Sequence, residues 1–160
     1  YEGKVKEAIH KIKYNNKREY LETFAELLAR YGENKIALWQ PEVLIPIPMY
    51  PKKQKVRGYN QAEILAKLLG EYWKLPVDTD ILRKRKDTGA QKELDRTERR
   101  RNLQEAFVAE SDRQYERVLL VDDVYTTGST VDAAASALRA CGIYEIFFTA
   151  ICIGHGDMVY

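Results

Sequence analysis

Four apolar residues, Val118 to Val121, run straight into two aspartates, and a cluster of threonine, glycine and serine follows at once (VLLVDDVYTTGST, Val118–Thr130). Few folds accommodate that order. A short apolar run bounded by polar turn formers is a strand buried on both faces. The segment after it, STVDAAASALRACG, reads as a helix beginning near Thr130 and closed by Gly142. Strand, tight turn and helix in that succession are half of a parallel βαβ unit.

The rest of the chain repeats the alternation. EVLIPIP (Glu42–Pro48) is a second buried run, which must end or turn at Pro46 and Pro48 because proline donates no ladder hydrogen bond. VDTDIL and the almost wholly apolar YEIFFTAICIG complete the candidate strands. Helical periodicity places Val5, Ala8, Ile9 and Ile12 on one stripe, and Leu21, Phe24, Ala25, Leu27 and Leu28 on another that Gly32 is expected to cap. NQAEILAKLLGEYW opens on Asn60 with Glu63 three places on, a capping-box pattern, and carries Ile64, Leu65, Leu68, Leu69 and Tyr72 on its apolar face. The expected fold is α/β, a mostly parallel sheet with helices on both faces. The 160 residues, 45% of them hydrophobic, suit a single domain. In it, residues 1–41 supply N-terminal helices that pack on one side or form a hood, and residues 42–160 form the core.

The carboxyl end of a parallel strand is where open α/β folds bind ligands. There Asp122 and Asp123 face a crevice, and Tyr125, Thr126, Thr127, Gly128, Ser129 and Thr130 lead into a helix start. Free N–H groups at that start, close backbone approach at Gly128 and several hydroxyl donors suit a phosphate dianion. The carboxylates suit vicinal hydroxyls instead. A phosphate at one end and a diol nearby describe a ribose 5-phosphate. Ordinary helix capping explains one Asp with one Thr, but not the whole series. Ser129, not lysine, follows Gly128, so this is no Walker P-loop, and no G-x-G-x-x-G is present.

The stretch resembles the signature of type I phosphoribosyltransferases, which bind 5-phosphoribosyl-1-pyrophosphate (PRPP) with Mg²⁺. That resemblance implies that Asp122 and Asp123 hold the ribose 2- and 3-hydroxyls and that residues 125–130 cradle the 5-phosphate. It puts Met49, Tyr50, Arg57 and Gly58 on the pyrophosphate side, and Gln91, Lys92 and Arg96 on a mobile loop. Mg²⁺ is held mainly through the ligand, with Asp122 a further candidate ligand. Purine-salvage members carry an aspartate directly before the T-G; Thr126 stands there, which leaves orotate-like or non-salvage members. LIPIPMYPKKQKVRGYNQAEILAKLL and DTGAQKELDRTERRRNLQEAF are in turn similar to segments of the competence protein ComF family. Its members usually begin with a cysteine-rich zinc ribbon. No cysteine precedes Cys141, so no zinc site is carried over.

Two basic runs flank this expected crevice: Lys52, Lys53, Lys55 and Arg57 in a first loop, and a second, long and aperiodic, that ends in Arg99, Arg100 and Arg101. They are solvated surface, neutralise pyrophosphate, or form a path for single-stranded DNA with Tyr50, Tyr59 or Tyr125 as stacking faces. The resemblance implies DNA uptake in natural transformation beside a helicase-like partner. Three readings stay open: a phosphoribosyltransferase of unassigned acceptor, a single-stranded-DNA-handling competence protein that uses the PRPP pocket only for binding or regulation, and an orotate-like transferase. No Cys/His or Ser/His pair is evident, so no catalytic residue is assigned, and His10 and His155 read as surface residues. Cys141 and Cys152 are expected to be buried free thiols in a reducing cytoplasm. No run approaches a membrane span. The sequence opens on Tyr1 without a signal-like segment, and a trimmed piece of a longer chain is expected.

Overall fold

The computed structural model describes residues 3–15, 19–85, 105–110 and 114–153. Helices α1 (Gly3–Asn15) and α2 (Glu19–Trp39) precede strand β1 (Val43–Pro46), helices α3 (Pro51–Arg57) and α4 (Gln61–Trp73), and strands β2 (Leu82–Lys84) and β3 (Phe107–Ala109). Strand β4 (Arg117–Tyr125), helix α5 (Ser129–Ala140) and strand β5 (Glu145–Ile153) follow. The order β1-β4-β5 is parallel throughout, with Val43 opposite Val118 and Arg117 opposite Glu145. Val77 adds one parallel bridge to Leu44 on the outer side of β1. β2 and β3 form a separate antiparallel pair.

Strand alternation sorts the core onto two faces. Val43, Ile45, Val118 and Leu120 pack with Ala133, Ala134 and Leu138 of α5 and with Leu82 and Phe107 of the β2–β3 pair. Leu44, Leu119 and Val121 pack with Ile9 and Ile12 of α1, Leu21 and Ala25 of α2, and Leu65 and Leu69 of α4. Helices thus cover both faces of a parallel sheet, as the apolar runs require. Among the described residues no helix is long and apolar enough to cross a membrane.

Several local expectations give way to tertiary contacts. Gly32 does not end α2, which continues to Trp39; a Cβ at Gly32 would lie 3.1 Å from the Trp73 ring, so the glycine is there for close helix approach. Trp73 Nε1 donates to the Ala29 carbonyl across the same contact at 3.3 Å. Leu27 and Tyr72 point outward, each at the edge of its stripe. The first basic run is helical, because Pro51 sits in the opening turn of α3 and Gly58, at φ 84°, closes it. VDTDIL is not one strand: Asp78 Oδ1 accepts from the N–H groups of Asp80 and Ile81, making a turn, and the chain becomes extended again at Leu82. Among the described residues the last strand lies at the edge of the sheet, exposed at Glu145 and Ile153 and half-buried between them rather than covered on both faces. Both cysteines are free and partly exposed, not buried.

Candidate functional site

The ladder between β1 and β4 stops before the aspartates. Pro46 pairs with Val121, Ile47 N–H donates to the Val121 carbonyl at 2.9 Å, and Pro48 then offers no donor. β4 nevertheless continues to Tyr125, paired among the described residues only with β5, through Asp122 opposite Ala150 and Tyr125 opposite Ile153. Among the described residues the side of β4 facing β1 therefore has no ladder partner from Asp122 onward. Met49 and Tyr50 leave the carboxyl end of β1 on that side, and Tyr50 stands at the N-cap position of α3 without a side-chain cap bond. The strand was expected to end at Val121; pairing with β5 carries it four residues further.

Consecutive strand residues point to opposite faces, which gives the two carboxylates different neighbours although they still feel each other's charge. Asp123, 9% exposed, shares the face of Leu119 and Val121, where its Oδ2 lies 2.8 Å from Lys13 Nζ of α1. Asp122 Oδ1 accepts from the Asp123 N–H at 2.8 Å. Burial, and secondly the charge of Asp123, push the Asp122 carboxyl up to about 7. Burial and the same aspartate also raise the Cys152 thiol, whose Sγ lies 3.9 Å from the Asp123 carbonyl oxygen.

Beyond Tyr125 the chain turns into α5 around Gly128, whose φ of 79° a side-chain-bearing residue rarely adopts. A Cβ there would also meet the Tyr125 hydroxyl at 2.6 Å. The Tyr125 ring in turn lies 5.6 Å from that of Phe148 on β5. Gly128 supplies no side-chain cap to α5. Thr127 Oγ1 contacts Ser129 Oγ at 2.8 Å, and Ser129 N–H reaches Thr127 Oγ1 only at 3.5 Å. Thr126, Thr127 and Ser129 are exposed and Thr130 half-buried. An uncapped helix start ringed by hydroxyls can take an anion.

Asn60 caps α4 through Ala62 N–H, as its position in the sequence predicts, but Glu63 turns to Lys67 instead of closing a capping box. Asn60 Nδ2 also donates to the Ile47 carbonyl at 3.0 Å, fixing the chain just after β1. Gln61 beside it is 1% exposed, and its Nε2 has no hydrogen-bond partner among the described residues. Lys52, Lys53 and Lys55 are exposed on α3, Arg57 is half-buried and Gly58 exposed. Gln91, Lys92, Arg96, Arg99, Arg100 and Arg101 lie outside the described residues, as does the long loop assigned to them, and so does His155. The sequence reading missed Lys13 and Gln61. Lys13 is one lysine among several on α1, and only its meeting with a distant strand distinguishes it.

Residues 14–157 match the family described as "Phosphoribosyl transferase domain". Competence protein F of Haemophilus influenzae is 38% identical over 144 residues, which cover 86% of this chain and 63% of that protein. The chain is a phosphoribosyltransferase-domain protein of the ComF family. DNA utilization protein YhgH of Escherichia coli K12 is 28% identical over 90% of this chain and 65% of that protein. Competence protein ComFC of Bacillus subtilis is 28% identical over 89% of this chain and 56% of that protein. The chain spans just under two thirds of the first of these curated relatives.

Proposed function

We propose that this ComF-family chain binds PRPP with Mg²⁺ at the carboxyl edge of β4, in a protein that serves DNA uptake or utilisation. The observation that carries the reading is the single segment 122–130. It runs from two carboxylates beside an unpaired strand edge to an uncapped helix start ringed by hydroxyls. A ligand with a diol and a phosphate a few ångströms apart matches that order. Asp122 and Asp123 accept from the ribose hydroxyls over the end of β1, while residues 126–130 donate to the 5-phosphate. Met49 and Tyr50, leaving the adjacent strand, flank the pyrophosphate side.

Mg²⁺ suits this donor set. Among the described residues no three His, Cys, Asp or Glu side chains gather to hold a metal by themselves. Mg²⁺ characteristically takes one or two protein carboxylates and completes its shell from ligand oxygens and water. Asp122 is the candidate among them, and the bound ion would screen the pyrophosphate charge. The chain's own contribution to phosphoribosyl transfer would be orientation of the ribose and exclusion of water.

Calorimetric titration with Mg²⁺–PRPP tests the reading. Replacing Asp122 and Asp123 together by Asn should weaken binding about 100-fold or more, because each lost charge-assisted hydrogen bond is worth roughly 1.5–3 kcal/mol. Unchanged affinity in a folded double variant would refute it. A second reading, single-stranded DNA binding, draws on the exposed lysines of α3, a helix with no acidic residue in its first turn and no buried residue.

A further inference from the structure

Helix α1 meets β4 at Asp123. Helix α1 is anchored by Ile9 and Ile12, 2% and 0% exposed, and its next residue, Lys13, reaches Asp123 at 2.8 Å. Both side chains are largely shielded, Lys13 at 25% and Asp123 at 13% exposure. Tyr59, 7% exposed, donates its hydroxyl to the Ile12 carbonyl. Tyr59 thus ties the segment after α3 to the residue preceding Lys13, and its neighbour Asn60 ties the same segment to the chain just after β1.

Two shielded carboxylates side by side oppose each other, and an anionic ligand brought against them adds to the repulsion. A cation delivered to one of them removes the conflict. We propose that Lys13, held in place by Tyr59, is a residue of the ligand site, and that it neutralises Asp123 so that the aspartate pair can sit against a polyanionic sugar phosphate. The proposal rests on the PRPP reading above. A purely structural ion pair would serve equally well anywhere along α1. This one lies where β1 has ended and β4 carries the carboxylates past it. Lys13 supplies from the N-terminal helix a positive charge that the 122–130 segment itself lacks. It is a positioning residue: it acts on the ligand through Asp123.

The test is titration of the 160-residue chain with Mg²⁺–PRPP, alongside thermal melting of each variant. Lys13→Met keeps the side-chain stem and removes the charge; it should weaken PRPP binding about ten-fold while the protein stays folded. Lys13→Arg should restore affinity to within about three-fold of wild type, since a guanidinium also reaches a carboxylate. Tyr59→Phe should weaken binding about three-fold through loss of one buried hydrogen bond, and should add little when combined with Lys13→Met. Wild-type affinity in Lys13→Met would overturn the inference and leave the PRPP reading standing. So would a folded Lys13→Arg as weak as Lys13→Met, or a Tyr59→Phe effect that adds in full. Absence of PRPP binding by the wild-type chain would overturn the reading and the inference together.

Discussion

Asp122 and Asp123 are neighbours in sequence with different surroundings, and their chemistry differs accordingly. Asp123 has Lys13 against it, whereas desolvation and then its neighbour's charge push the Asp122 carboxyl from 3.8 up to about 7. The folded chain therefore keeps a proton on Asp122 between those values that the unfolded chain has lost. The stabilisation from that proton is complete below about pH 3.8 and lost as pH rises through about 7. Asp122→Asn removes the ionisation altogether. It should be more stable than wild type at pH 8, with the difference shrinking toward zero near pH 4. Urea melts of both proteins at several pH values check this, and parallel curves would refute it. Gln61 presents a comparable question without charge, since its Nε2 is buried and unpaired among the described residues. Gln61→Met keeps the shape and removes the orphan donor, so the thermal midpoint should rise, by the equivalent of about 1 kcal/mol. A lowered midpoint would mean that the amide is paired in solution.

At the scale of elements, the site depends on where strands stop and how closely helices approach. β1 stops at Pro46 because the prolines at 46 and 48 cannot donate, and that early end leaves β4 open where it carries the aspartates. α5 lies close over its face of the sheet because Ala133, Ala134 and Ala135 are small and nearly fully buried. Enlarging one of them should push the helix away from the sheet and disturb the turn that precedes it. Ala134→Leu should cost about 1–3 kcal/mol by overpacking, read as a lowered urea midpoint, and should weaken PRPP binding through the displaced 126–130 turn. Wild-type stability in this variant would show that the α5 face has room to spare.

Across the whole molecule the net charge is only +2, so any nucleic-acid binding depends on where the positive charge gathers. Lys52, Lys53 and Lys55 stand exposed on α3, directly after the chain leaves β1. If they meet DNA phosphates, affinity for a single-stranded oligonucleotide should fall steeply with salt. Reversing all three to Glu should weaken binding and lower the salt slope by about 2, at roughly 0.7 per phosphate contact. PRPP affinity should change far less, because the proposed PRPP site lies on β4. A salt slope that survives the triple reversal would exclude α3 as the contact.

The alternation of apolar runs and helical stripes determined the α/β class, and the series from Asp122 to Thr130 determined the candidate ligand chemistry. Both are local patterns: a period of two or 3.6 residues and a turn glycine are complete within a dozen positions. The tertiary structure decided what depends on meetings between distant segments. Gly32 reads as a helix end until Trp73 packs against it. Asp122 and Asp123 read as equivalent until strand alternation turns one of them toward α1. Lys13 carries no local signal at all, because a charge acquires its partner only when the strand and the helix that hold the two residues are packed together.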